Sequence, residues 1–382
     1  MGRVRLKTKK ESLFMAGLIL TSCNSKRWMF SAAPVLIILI LMMVLLQSCA
    51  PPKHFASGSV GTDPSTFGKN ILELARQDEN FKFDYFDSTQ GGFIRFGKSI
   101  IKSPDGIIII ATGQSEFIES YFELVRDLNR RGFSVWIMDW KGQGGSNHAL
   151  EDDSRATNDF TGDQRDLRRF ILEIVVNTGG TPTILLAHSM GGHIALRMLE
   201  QDPDTVDIAI LTAPMVTVKT SSYPHSISAY LAETVSNFGF GWWYAPGHSA
   251  WVPNPNYKHT DNQNTSDPDR SLLKEYWRYN EVHARKSYGV TFGWFHNYSK
   301  SRNYLLKGDA LSNIRTDILM TVPLIDVLIS PEESLDACSK ISSCTHITYK
   351  NSRHEIYLER DDIRDIWLEN ITEWIEEKTI SQ

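Results

Sequence analysis

The sequence predicts an α/β fold: a mostly parallel central sheet flanked by helices, with an inserted and mainly helical cap. Three observations carry this. From about residue 92 onward, short apolar runs alternate with amphipathic segments, the rhythm of strands joined by crossover helices. The run Ile107-Ile108-Ile109-Ile110-Ala111 is apolar at every position, as a central parallel strand covered on both faces should be. The rhythm then breaks between about residues 215 and 312, where Trp242, Trp243, Tyr244, Trp251, Tyr257, Tyr276, Trp277, Trp294 and Phe295 crowd among turn residues.

In chain order, residues 107–111 are read as the first central strand. A helix follows over 117–131, with Phe122, Leu124, Val125 and Leu128 on its inner side. A second strand covers 133–139, a helix 159–176, a strand 183–188, a helix from 190 to about 201, and a strand 208–212. After the aromatic stretch come strands at 322–329 and 345–349 and a closing helix at 363–378. The core is therefore assigned to residues 81–214 and 313–382, and the cap to 215–312. Most of the cap's aromatic side chains are expected to form its own small core, with some left to line an apolar cleft.

Residues 1–48 hold seven of the 40 Lys/Arg and one of the 45 acids, so residues 49–382 keep 33 basic and 44 acidic residues, a net charge of −11 against −5 for the whole chain. Phosphate binding needs a cationic working surface, so nucleic acid is excluded as the expected partner. Lys26 and Arg27 precede an apolar run over 32–46, and Gln47-Ser48-Cys49 follow it. A basic flank, an apolar stretch and small residues make an export signal or a membrane anchor. Leu46-Gln47-Ser48-Cys49-Ala50 resembles a bacterial lipobox, which makes Cys49 the candidate lipidation site. Gln47 stands where a smaller residue is usual. Leu20-Thr21-Ser22-Cys23 is a second such pattern, and an uncleaved single-pass helix is the alternative anchor. The expected location is thus membrane-associated, facing the periplasm or cell surface. Residues 49–80, rich in Pro, Gly, Ser and Thr early on, read as a tether. An exported body would permit a disulfide between Cys338 and Cys344; two free thiols are the alternative.

Chemistry concentrates at Ala187-His188-Ser189-Met190-Gly191-Gly192, between a strand and a helix. This is the G-x-S-x-G type of sharp turn, with Ala at the first position. Such a turn projects the Ser189 hydroxyl above the sheet edge and tolerates only small neighbours. The amide of Met190, at a helix N-terminus, is one candidate oxyanion donor. The turn after the first central strand, Ala111-Thr112-Gly113-Gln114-Ser115, supplies the second, the amide of Gln114. A serine hydroxyl needs a base. His354 sits in the loop between the last strand and the last helix, where the base is expected; His188 and His193 flank Ser189, and His346 lies within a strand. An acid should follow the preceding strand to orient the imidazole. With that strand at 322–329, Glu332, Glu333 and Asp336 compete, although acids there also suit a helix N-terminus.

These segments resemble the α/β-hydrolases of the monoacylglycerol lipase and bacterial lysophospholipase L2 group. The resemblance runs over about residues 80–378. It rests on Thr112-Gly113-Gln114 followed by Ile118-Glu119-Ser120-Tyr121, on Asp139-Trp140-Lys141-Gly142-Gln143-Gly144-Gly145-Ser146, on His188-Ser189-Met190-Gly191-Gly192, and on Arg353-His354-Glu355-Ile356 with Glu359. Leu211-Thr212-Ala213-Pro214-Met215 and Gly293-Trp294 are similar to the lysophospholipase branch. The resemblance implies the α/β-hydrolase fold, Ser189 as nucleophile and His354 as base. The family's acid is usually Asp before a short apolar pair; Glu333-Ser334-Leu335 is taken to fill that place, ahead of Glu332. Lys141 stands where Arg is usual.

What the resemblance implies about activity is hydrolysis of a carboxylic ester bearing one fatty acyl chain, a lysophospholipid or monoacylglycerol. Residue chemistry alone says acyl transfer to water. A non-lipid ester or peptide-like substrate, or a non-catalytic binding protein on the same scaffold, are the alternatives. No cofactor is expected. No metal is expected either, because no His-x-x-x-His pair or Cys/His cluster has ligand spacing. Oligomeric state is left open.

Overall fold

The computed structural model describes residue 67 and residues 70–148, 155–156, 158–177, 179–220, 224–254, 256–286 and 288–380; for 155–156 and 380 only the backbone is described. The chain divides at residue 50 into two units. The first unit, with Cys23 and Cys49, lies outside the described residues, as does most of the expected tether. Among the described residues no helix is long and apolar enough to cross a membrane.

The second unit is built on an eight-stranded sheet: β1 (Lys82–Asp87), β2 (Phe93–Ser99), β3 (Gly106–Ala111), β4 (Phe133–Met138), β5 (Thr183–His188), β6 (Ile208–Thr212), β7 (Asp317–Pro323) and β8 (Cys344–Tyr349). Their spatial order is β1-β2-β4-β3-β5-β6-β7-β8. β1 and β2 form an antiparallel hairpin, and β2 lies antiparallel to β4. All pairs from β4 onward are parallel. This is the α/β-hydrolase fold expected from the sequence.

Among the described residues, eight helices of eight or more residues accompany the sheet: α1 (Phe122–Arg130), α2 (Phe160–Arg169), α3 (Met190–Gln201), α4 (His225–Val235), α5 (Leu273–Asn280), α6 (Phe292–Leu305), α7 (Pro331–Ser339) and α8 (Asp361–Ile380). β3 shows why both faces must be covered. Successive strand side chains point to opposite faces. Ile107 and Ile109 accordingly join Leu167, Ile194 and Leu196 of α2 and α3, whereas Ile108 and Ile110 join Leu124, Leu128, Trp367 and Ile371 of α1 and α8. The helix expected over 117–131 begins with a 3₁₀ turn, Ile118–Tyr121, and ends before Gly132, whose φ of 93° stops it. The helix expected over 159–176 is α2, capped by Asp159 and finished by a wide π turn, Phe170–Ile174.

Two expectations differ from the structure. The strand placed at 322–329 is β7, five residues earlier. Pro323 closes it, and the chain turns out of the sheet. Leu324, Ile325, Val327 and Leu328 are all exposed by more than a third, so the apolar run that suggested a strand is a surface loop. The aromatic residues of the inserted segment do not pack mainly among themselves. Trp251 and Tyr279 join the cluster on the α1/α8 face, and Trp294 and Tyr298 join the opposite one. The segment's own cluster is small: Ala232, Val235 and Phe292, with Phe240, Trp243 and Phe295 against them. α5 and α6 are thus part of the body, which places α5 side chains beneath the site described next. Cys338, in α7, and Cys344, opening β8, are joined in a disulfide with Cα atoms 5.4 Å apart.

Candidate active site

Ser189 occupies the turn between β5 and α3 at φ 50°, ψ −113°. A non-glycine residue at positive φ is strained and persists only where its surroundings impose it. Here the Ser189 amide donates to the Thr212 carbonyl on β6 (3.0 Å), and its carbonyl accepts from the amides of His193 (3.1 Å) and Met215 (2.9 Å). Small residues are required around it. A Cβ on Gly191 would lie 2.3 Å from the Ala111 carbonyl oxygen, and one on Gly192 2.8 Å from Pro214 Cβ.

The expected base is in contact with it: His354 Nε2 lies 2.9 Å from Ser189 Oγ. The other ring nitrogen, Nδ1, lies 2.6 Å from Asp326 Oδ2. With Nδ1 protonated against that carboxylate, Nε2 is left as the acceptor for the serine hydroxyl. Asp326 Oδ1 accepts the backbone amides of Leu328 (2.7 Å) and Ile329 (3.0 Å), which fix the carboxylate. All three side chains are buried. Burial opposes ionisation of Asp326, but the charge and hydrogen bond of His354 and the two amides outweigh it, so its pKa is lowered. Burial also opposes protonation of His354; Asp326 first, then Glu355 and Glu116, outweigh that and raise its pKa.

The carboxylate that meets His354 is therefore Asp326, where the sequence reading placed Glu333. Glu333 opens α7 with its side chain 42% exposed, 3.8 Å from Arg302. Glu332 accepts from Ser330 Oγ, and Asp336 pairs with Lys340. Glu332 and Glu333 lie in the first turn of a helix, where negative charge is favoured by the helix dipole. The difference follows from the misplaced strand, because Asp326 lies inside the run read as β structure. A usable signal was present. Asp326-Val327-Leu328 is an Asp before an apolar pair, and Asp326 is the lone carboxylate in that run.

The remaining histidines do other work. His188 has Nδ1 against the Thr212 carbonyl, and burial lowers its pKa to about 4. His193 meets Ser301, and burial lowers its pKa to about 3. His346 is exposed on β8.

Met190 follows Ser189 as the first residue of α3, and Gln114 lies in the turn after β3. The amide hydrogens on either side of Gln114 are taken by side chains: Gly113 donates to Glu116, and Ser115 donates to Gln143 Oε1 at 2.8 Å. Glu116 is buried and also accepts from Lys274 Nζ (2.8 Å) and the Tyr357 hydroxyl (2.9 Å). Burial alone would raise its pKa; Lys274 is the largest of the influences that reverse this and hold it well below the usual carboxylate range. Lys274, from α5, also meets Glu355, the neighbour of His354. Sequence reasoning did not single out Glu116 or Lys274, because nothing in their spacing shows that the inserted helix reaches under the site.

A strained strand-to-helix turn on this sheet order defines the α/β-hydrolase class of fold, and Ser189, His354 and Asp326 form one hydrogen-bonded line at that turn. Residues 102–361 match the family model described as serine aminopeptidase, S33. The chain belongs to that family. It is 32% identical over 184 residues to lysophospholipase L2 of Escherichia coli K12, covering 47% of this chain and 53% of that protein. The chain thus spans about half the length of that relative. It is 25% identical over 273 residues to the probable lysophospholipase L2 of Haemophilus influenzae, covering 70% and 83%. It is also 29% identical over 136 residues to the monoglyceride lipase of Rattus norvegicus, covering 36% and 43%. Among solved structures, a soluble variant of the Saccharomyces cerevisiae monoglyceride lipase superposes with a TM-score of 0.63 at 16% identity, covering 79% of this chain and 96% of that one. At that identity the likeness speaks for the fold.

Proposed function

We propose that this protein hydrolyses a fatty-acyl carboxylic ester, a lysophospholipid or a monoacylglycerol, through an acyl-enzyme on Ser189. The observation that carries this reading is the hydrogen-bonded line Ser189–His354–Asp326 at the strained turn. Ser189 Oγ attacks the ester carbonyl as its proton passes to His354 Nε2. The oxyanion that forms lies against the amides of Gln114 and Met190, donors each worth about 3 kcal/mol where charge develops. Collapse breaks the C–O bond, and the imidazolium protonates the departing alkoxide. Water, deprotonated by the same imidazole, then attacks the acyl-serine. Free fatty acid leaves, and Ser189 recovers its proton.

The lipid substrate is supported by the relatives named lysophospholipase L2 and monoglyceride lipase. The test is a panel of monoacyl esters, with acyl chains from two to eighteen carbons on glycerol and glycerophosphocholine, beside acetyl esters and N-terminal peptide amides. We expect kcat/KM to rise with chain length and amides to be inert. A profile that falls with chain length, or preference for an amide, would replace the lipid reading with esterase or peptidase action.

We also propose that residues 1–48 deliver the enzyme to a membrane, with Cys49 as the lipidated residue. The support is the charge and apolar pattern of that segment. Labelled palmitate should enter the wild-type chain and not Cys49→Ser; equal labelling of both would remove Cys49 from the proposal.

A further inference from the structure

The turn that carries Gln114 contains a second strained residue. Ser115 has φ 62°, in the left-handed region that a non-glycine side chain rarely adopts. Its amide donates to Gln143 Oε1 at 2.8 Å. Its carbonyl oxygen and its Oγ lie 3.3 and 3.2 Å from Arg278 Nη2, on α5, and Arg278 is itself held by Glu275 at 2.8 Å. Ser115 is thus gripped from two elements remote in sequence.

Gln143 is fully buried in the loop after β4. Its amide nitrogen lies 3.4 Å from Gln114 Oε1, 3.5 Å from Asn158 Oδ1 and 3.8 Å from Met190 Sδ. One side chain therefore touches both residues whose amides face the oxyanion in the mechanism above, and bonds the strained residue next to one of them. The glycines around it serve this placement. Gly142 and Gly144 have φ of 79° and 49°, and a Cβ on Gly144 would lie 2.4 Å from the Asp139 carboxylate, so the loop turns inward with Gln143 at its tip.

We propose that Gln143 is a positioning residue for the oxyanion turn. By accepting the Ser115 amide hydrogen it fixes the Gln114–Ser115 peptide and holds Ser115 at positive φ; with the Gly113 amide held by Glu116, the intervening Gly113–Gln114 peptide, which carries the Gln114 N–H, is clamped from both sides. The proposal rests on the reading of Ser189 as nucleophile. Without Gln143, Ser115 relaxes toward negative φ and the Gln114 donor swings away from the developing charge. Ground-state binding of the acyl chain is untouched, so the loss falls on kcat.

The test uses the full-length enzyme and monooleoylglycerol. Gln143→Leu and Gln143→Asn should each lower kcat at least tenfold with KM within about threefold of wild type. Asn is one methylene too short to bond the Ser115 amide but keeps a polar group in the buried site, so it separates the lost bond from the cost of an apolar side chain there. A packing role would not predict the third result. In a Ser115→Gly background, where positive φ carries no strain, the effect of Gln143→Leu should shrink at least threefold. Wild-type kcat in both single variants, or the same loss in the Ser115→Gly background, would overturn the proposal. Ser189→Ala is run beside them; full activity in that variant would instead overturn the nucleophile reading, which keeps the two failures distinct.

Discussion

Asp326→Asn should lower kcat about 10³–10⁴-fold, the scale on which loss of the imidazole-orienting charge acts in serine hydrolases. The change is isosteric and keeps an acceptor for the Leu328 and Ile329 amides. What it removes is the charge that holds Nδ1–H and stabilises the imidazolium. The pH profile gives an independent reading. His354 must be neutral to accept the Ser189 proton, so activity falls as pH drops through its pKa. Asp326 is the chief influence raising that pKa. The wild-type acid limb is therefore expected above the ordinary histidine value of about 6.5, and Asp326→Asn should move it to lower pH. Glu333→Gln, in an exposed side chain 3.8 Å from Arg302, should change kcat by less than about twofold, as surface substitutions do. Steady-state hydrolysis of monooleoylglycerol across pH checks all three outcomes. A large loss in Glu333→Gln with an active Asp326→Asn would reverse the assignment.

Ser189→Ala should cost about 10⁶-fold in kcat, because the members of such a line act as a unit and the nucleophile is the one without a substitute. The substitution leaves the amides of Gln114 and Met190 in place, so binding of a monoacyl lipid should persist. Stability should respond separately. Ala at position 189 keeps the strain of φ 50°, whereas Ser189→Gly relieves it, because glycine adopts positive φ freely. Ser189→Gly is therefore expected to melt higher than Ser189→Ala while both are inactive. Fatty-acid release and thermal unfolding measure the two effects.

Much of the parallel sheet was legible in the sequence, because strands covered on both faces are written as continuous apolar runs and the helices between them have an apolar stripe. The strained turn was legible for the same reason that it works: only Ala187, Gly191 and Gly192 fit around Ser189, and small residues at fixed spacing are visible in a sequence. His354 could be placed from its position between the last strand and the last helix. The acid could not be placed securely, since Leu324-Ile325 and Val327-Leu328-Ile329 have strand composition and only Pro323 marks where pairing ends. Periodicity does not distinguish a buried apolar run from an exposed one. The packing of α5 and α6 against the body was equally hidden. Aromatic content does not say which neighbour an aromatic side chain meets, and Lys274 and Arg278 reach the site through tertiary contacts that local pattern does not encode.

In the proposed reaction His354 and Asp326 make Ser189 a nucleophile. Its most direct measurement is reaction of the purified enzyme with a fluorophosphonate, followed by intact mass and peptide mapping. One phosphonyl adduct per chain is expected, on the peptide carrying Ser189, formed quickly by wild type and slowly by Asp326→Asn. An unmodified chain, or an adduct on another residue, would contradict it.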